Sequence, residues 1–310
     1  MTSLTTALPR TVLLRASESS RLRKLAQAYG MRLGARRFVA GETLDECVAV
    51  VRRMNDSGLH ANATLLGEAI PDRSGADAAT SAYEEILDRI AAEKLDANVA
   101  LKLTHLGLSF DEETAYANVE RLVERAASLG NFVRIDMEQS AYVEPTLRIY
   151  ERLRAGGQPN VGTVLQSYLY RSPGDLERLL PLEPNLRIVK GAYLEPPLLA
   201  HPRKKDVDAA YVRLVERGLR GGAYIAVATH DERIIANVQA FAAREGIGRD
   251  RFEFQMLYGV RPALQRRLAA EAYKVRVSTP FGPDWYPYLM RRLAERPANV
   301  VFLLRNLVRR

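Results

Sequence analysis

Short apolar runs recur along the chain, and each turns polar at its C-terminal end. They read LHANATLLGEA from Leu59, NVALKLTHLG from Asn98, FVRIDMEQS from Phe132 and VGTVLQSYL from Val161. The series continues with LRIVKGAYL from Leu186, YIAVATHDE from Tyr224, FEFQMLYGV from Phe252 and KVRVSTPFG from Lys274. Runs rich in Val, Ile and Leu, too short for helices, predict parallel strands buried on both faces. Most lie roughly 20–35 residues apart, room for one crossover helix each. Eight such units predict an α/β fold of the (β/α)8 barrel class, distorted by additions, with its active site at the strand C-termini.

Helical spacing fills the gaps, predicting helices over 79–95, 111–129, 143–155, 173–180, 207–221, 231–245 and 261–271. The second should be capped by Ser109, with Asp111, Glu112 and Glu113 favoured in its first turn by the helix dipole. Residues 1–57 read differently, as a helical extension packing on a catalytic barrel that spans 58–310. Within the extension, 19–29 and 43–54 have helical spacing, the latter opening with a Thr43-x-x-Glu46 capping box. After the eighth run, GPDWYPYLMRRLAERPAN predicts a last helix over the C-terminal face, with Pro287 in its first turn and Pro297 ending it. Tyr288, Arg291, Arg292 and Glu295 then share one face, and Leu289, Leu293 and Arg296 another.

At 310 residues the chain suits one barrel plus an extension, with a core large enough to need no staple. Its single cysteine, Cys47, excludes an intramolecular disulfide and a Cys-based zinc site, fits a reducing cytoplasm, and reads as part of a helix face. No signal peptide is apparent, since Arg10 interrupts the stretch from Leu8 to Leu14, and no run approaches the ~18 apolar residues of a membrane span. The net charge of +8 sits mostly on Arg beside Glu at helical spacing, so solvated helix faces explain it better than nucleic acid; weak attraction to anionic membrane surfaces stays open.

The strand ends carry Glu68, Lys102, Asp136, Gln166, Lys190, Thr229, His230 and Gln255, with Arg187 inside the fifth run. Cations dominate once Arg291 and Arg292 are added, which implies an anionic substrate, an anionic cofactor, or both. The four histidines show no H-x-H or H-E-x-x-H spacing, disfavouring a metal hydrolase. His60 and His201 read as surface or loop residues, and His105 equally as a loop-packing one. There is no G-x-S-x-G elbow and no G-x-G-x-x-G after a strand. A barrel-bound flavin remains possible, as does a Schiff-base lyase using Lys102 or Lys190.

The runs LKLTHLG, RIDMEQS, VLQSYL, LRIVKGAY, ATHD, FQMLYG, VRVSTPFG and YLMRRLAERPAN together closely resemble the proline dehydrogenase family, in order from about Leu59 to Leu304. The resemblance implies a monofunctional, FAD-dependent oxidoreductase of proline catabolism. It would oxidise L-proline to Δ1-pyrroline-5-carboxylate and pass electrons to a membrane quinone, from the cytoplasm or the inner membrane face. Pyrroline-5-carboxylate dehydrogenase would be a transient partner, and nucleic acid none. By the same resemblance Lys102, Arg291 and Arg292 would bind the proline carboxylate. Tyr288 and Leu257 would pack on the ring, with Ala192 and Tyr193 near it, and Glu68 would pair with Arg291 as a lid. Asp136 and Arg187 would serve catalysis. Met137, Gln166, Arg187, Lys190, Gly191, Ala192, Thr229, His230 and Glu295 would hold the flavin. Ser278 departs from the pattern, standing where many members carry Tyr. Losing that ring would either enlarge the site beside the substrate or be neutral, with Trp285 or Tyr286 filling the gap.

Overall fold

The computed structural model describes residues 35–67 and 70–295, the side chains of 291–295 excepted. Eight strands, β1 (His60–Leu65), β2 (Ala97–Leu101), β3 (Val133–Ile135), β4 (Val161–Gln166), β5 (Asn185–Val189), β6 (Tyr224–Ala228), β7 (Phe252–Leu257) and β8 (Val275–Phe281), pair in sequence order and close into a barrel. All neighbours are parallel, and β8 closes on β1 from His60 opposite Arg276 to Leu65 opposite Phe281.

Helix α1 (Leu44–Asn55) precedes the barrel. One helix then follows each strand: α2 (Arg73–Ala92), α3 (Glu112–Ser128), α4 (Ser140–Ala155), α5 (Ser172–Leu179), α6 (Lys204–Arg220), α7 (Glu232–Arg244), α8 (Pro262–Ala270) and α9 (Trp285–Glu295). Apolar residues on the outward strand faces and inward helix faces form one continuous core. Cys47 lies in it, and burial pushes its thiol up to about 12, so it is an inert packing residue. The predicted helix at 19–29 and Pro297 lie outside the described residues.

Local chemistry moves two helix starts and changes the cap of a third. Helix α2 begins at Arg73, earlier than 79, because the Asp72 carboxylate accepts from Gly75 N–H at 2.8 Å. Asp111, not Ser109, caps α3, accepting from Thr114 N–H at 2.8 Å, while the Ser109 hydroxyl donates to the Ile70 carbonyl at 2.7 Å. Helix α4 begins at Ser140, whose N–H and hydroxyl both donate to the Glu195 carboxylate, at 2.7 and 2.6 Å. The capping box of α1 is half formed. Thr43 Oγ1 accepts from Glu46 N–H at 3.3 Å, but the Glu46 carboxylate turns to Glu42 N–H and Arg36.

Barrel interiors usually hold Val, Ile and Leu; this one is charged. Arg134 on β3 reaches past β4 to the Asn185 side chain and carbonyl on β5, and also donates to Thr163. Only the lumen allows such a reach. Gly162 on β4 makes room for it, since a Cβ there would lie 2.5 Å from Arg134 Nη1. Burial, then the nearby Arg187 charge, pulls the Arg134 guanidinium down to about 9, still protonated at neutral pH. Tyr224, Glu253 and Arg276 complete this layer.

The segment ahead of α1 crosses the rim of the barrel. Ala40 N–H donates to the Pro280 carbonyl at 2.7 Å, and Gly282 N–H to the Gly41 carbonyl at 3.0 Å. Ala35, Phe38 and Val39 form a second small core with Trp285, Tyr286 and Leu289 at the start of α9.

Candidate active site

Residues alternate sides along a strand, so the lumenal charges on each strand identify the lumenal positions above them. Asp136 continues the face of Arg134, Leu257 the face of Glu253 and Gln255, and Ser278 the face of Arg276. Ser278 lies in register with Asn62 on β1 and Leu257 on β7. Trp285 and Tyr286 belong instead to the cluster with Phe38 and Val39. The indole N–H of Trp285 donates to the Glu42 carboxylate at 2.7 Å.

Three of the sequence candidates meet directly. Arg187, mid-way along β5, donates through Nη1 to Asp136 beyond β3 and through Nε to Gln255 Oε1 on β7 at 2.5 Å. Its Nη2 is buried without a hydrogen-bond partner among the described residues. A buried guanidinium donor left over in this way suits an acceptor group bound at the mouth. Gln166, ending β4, donates to the Glu138 carbonyl at 2.8 Å and so braces the Met137 segment. Met137 itself is buried.

Glu138 is a residue that the sequence reading passed over. Its carboxylate accepts from Thr104 N–H at 3.2 Å and from the Thr104 hydroxyl at 2.7 Å. Burial raises its pKa above the ordinary carboxylate value, opposed by those bonds and by the nearby Lys102 charge. Lys102, at the end of β2, thus stands among carboxylates at the mouth. His105 is buried edge-on to Tyr83, and burial, then Lys102, lowers its pKa; it is a packing residue.

On the opposite side Lys190 Nζ lies 2.5 Å from Asp208 and 3.7 Å from Asp231. Burial works against the Asp208 charge, but Lys190 and Lys204 outweigh it and hold the carboxyl below its usual range. Thr229 Oγ1 accepts from Asp231 N–H at 3.1 Å, and His230 Nε2 accepts from Leu257 N–H at 3.0 Å. That bond places the proton of the neutral imidazole on Nδ1. Asp208 and Asp231, the partners of Lys190, were legible only as helix-start residues.

Gly191 has φ +109°, and a Cβ there would fall 2.3 Å from the Tyr168 ring, so no other residue fits without displacement. Ala192 beside it is exposed and Tyr193 partly so. On α9 Leu289 is buried and Tyr288 half-buried. Arg291, Arg292 and Glu295 lie on α9, but their side chains are outside the described residues, as is Glu68 altogether. His60 pairs at 2.6 Å with Asp96 at the opposite end of the barrel. Among the described residues no three His, Cys, Asp or Glu side chains gather as a metal site, and no helix is long and apolar enough to cross a membrane.

The proline dehydrogenase family model matches residues 47–305. Proline dehydrogenase 1 of Bacillus subtilis (strain 168) is 42% identical over 301 residues, covering 97% of this chain and 99% of that protein. The proline dehydrogenase of Deinococcus radiodurans is 42% identical over 304 residues, covering 97% and 98%. The solved structure of proline utilization A from Bdellovibrio bacteriovorus, inactivated by N-propargylglycine, superposes with a TM-score of 0.80 at 24% identity. It covers 93% of this chain and 36% of that longer one, and carries the fold alone. With a closed parallel barrel, a charged mouth and matches over nearly its whole length, this chain belongs to the proline dehydrogenase family.

Proposed function

We propose that the chain oxidises L-proline to Δ1-pyrroline-5-carboxylate with FAD as the hydride acceptor, a membrane quinone taking the electrons onward. The observation that carries the flavin reading is the buried Nη2 of Arg187, without a hydrogen-bond partner among the described residues and flanked by Asp136 and Gln255 at the mouth. FAD, when bound, supplies the two-electron acceptor that no side chain offers. Arg187 would meet the negative charge that reduction creates there. Gln166, Lys190, Gly191, Thr229 and His230 border the same mouth, and Met137, Ala192 and Glu295 join them by family likeness.

Lys102, Arg291 and Arg292 would clamp the carboxylate, which fixes which ring carbon faces the acceptor. Leu257 and Tyr288 would pack on the ring, with Ser278, Ala192 and Tyr193 near it, and Glu68 would close over it against Arg291. Loss of hydride from the carbon and one proton from the amine leaves the imine. Asp136, already engaged by Arg187, would organise the cations around that centre. A Schiff-base lyase is the weaker reading, since Lys190 is committed to Asp208 and Asp231. The basic net charge favours transient contact with an anionic membrane, where the quinone resides. Pyrroline-5-carboxylate dehydrogenase would take the product.

The test is the visible spectrum of the purified protein. A flavin band bleached by L-proline without oxygen, and FAD by mass in the released cofactor, are expected. A colourless protein, or a lysine adduct trapped by borohydride, would sink the assignment.

A further inference from the structure

The Arg187 guanidinium is held by a chain that runs down through the lumen. Glu253 on β7 is 3% exposed and accepts from Arg276 Nε at 3.1 and 3.2 Å on its two oxygens. Tyr224 donates its hydroxyl to the same carboxylate at 3.2 Å, and Lys274 Nζ stands 3.6 Å away. Gln255 Nε2 also donates to it, while Gln255 Oε1 accepts from Arg187 Nε at 2.5 Å.

The polarity of this chain follows from what each group can do. Arginine is donor-only, and an ionised carboxylate is acceptor-only. Gln255 is the one group between them able to face either way. With Glu253 ionised, the amide must turn its NH2 to Glu253 and its oxygen to Arg187. Burial opposes ionisation of Glu253, but Arg276, with Gln255 and Lys274, outweighs it and holds the carboxyl below its usual value.

Resting on the flavin reading above, we propose that Glu253 is a positioning residue: it orients the Gln255 amide, and thereby fixes the Arg187 guanidinium toward the bound flavin. Glu253 touches neither substrate nor cofactor in this scheme. A neutral amide at position 253 would let Gln255 rotate and set its NH2 against the guanidinium. Arg187 would then lose its Nε acceptor and swing about its remaining Asp136 bond, carrying its charge away from the reduced flavin.

The test compares Glu253→Gln with the swapped pair Glu253→Gln/Gln255→Glu. The swap restores an acceptor toward Arg187 and a donor from position 253 at unchanged net charge. Glu253→Gln should keep its flavin but bind the reduced form about tenfold less tightly, which for a two-electron couple is about 30 mV toward more negative potential. Its kcat should fall with KM for proline little changed, and the swapped pair should recover the parent potential. An unaltered potential in Glu253→Gln, or a swapped pair as low as the single variant, overturns the proposal. Should Glu253→Gln not fold, recovery of folding and of the parent potential by the swapped pair supports the proposal, and a lowered potential in that pair overturns it. A colourless parent protein would instead sink the flavin reading, and the proposal with it.

Discussion

Trp285 donates its indole N–H to the Glu42 carboxylate at 2.7 Å, tying the first turn of α9 to chain 243 residues earlier. Helix α9 carries Tyr288, Arg291 and Arg292, so this bond anchors the first turn of the helix that bears them. A hydrogen bond to a charged group contributes about 1.5–3 kcal/mol. Trp285→Phe keeps the ring and loses the donor. It should lower the melting temperature and raise KM for proline more than it lowers kcat. An unchanged KM would separate substrate binding from this anchor.

Arg291→Met and Arg292→Met should each cost on the order of 2–5 kcal/mol in kcat/KM for proline, because under the proposed clamp a desolvated carboxylate would lose a directed partner. Flavin content should be retained. Steady-state kinetics with near-normal KM in both variants would remove the carboxylate clamp from the account.

Ser278 lies on the lumenal face of β8, in register with Asn62 and Leu257, while Trp285 and Tyr286 pack in the cluster with Phe38 and Val39. The space and the hydroxyl should admit a substrate ring bearing a 4-hydroxyl, at a packing cost to proline of roughly 1–3 kcal/mol at most. The check is the ratio of kcat/KM for trans-4-hydroxy-L-proline to that for proline in the parent and in Ser278→Tyr. Tyrosine should lower the ratio; equal ratios would contradict a specificity role.

Glu138 makes acid behaviour informative. Its folded pKa is raised by burial, so the folded state binds its proton more tightly than the unfolded chain does. The resulting penalty is absent below the unfolded value of about 4.3, grows as pH rises toward the folded value and is constant above it. The melting temperature of Glu138→Gln relative to the parent should therefore improve from about pH 4 to about pH 7. A constant difference across that range would mean that the carboxyl is not perturbed.

Gly191→Ala should destabilise the mouth, because φ +109° is strained for alanine and its methyl meets Tyr168. A residue forced into such a backbone costs about 1–3 kcal/mol. Thermal unfolding and flavin content should both drop, and a variant with parent values for both would show that the loop moves freely.

The barrel was legible because its apolar runs are short and separated by stretches long enough for a helix, and every run holds a strand. Helix starts were less so: Asp72 and Asp111 cap through a single carboxylate, which resembles any surface acid in a polar stretch. The site was half legible. Strand-end residues such as Asp136, Gln166 and Lys190 stood out at the polar switch of each run. Their partners did not, since Asp208 is brought to Lys190 by the packing of α6 alone. The charged lumen also had a signal, which the pattern of apolar runs alone does not use. FVRID, FEFQM and KVRVS alternate apolar and charged residues, so one face packs on helices and the other points inward. Strand periodicity says that such faces differ, but not which of them closes into a barrel.

The lumenal layer of Arg134, Tyr224, Glu253 and Arg276 also determines how molecules travel through this enzyme. Side chains bonded across the barrel occupy its lower lumen, so a molecule bound at the strand C-termini rests on a charged floor. A ligand at the mouth would then meet fixed hydrogen bonds beneath it and would approach from the side of the loops and α9. The floor that orients such a ligand would also set the side from which it arrives and leaves.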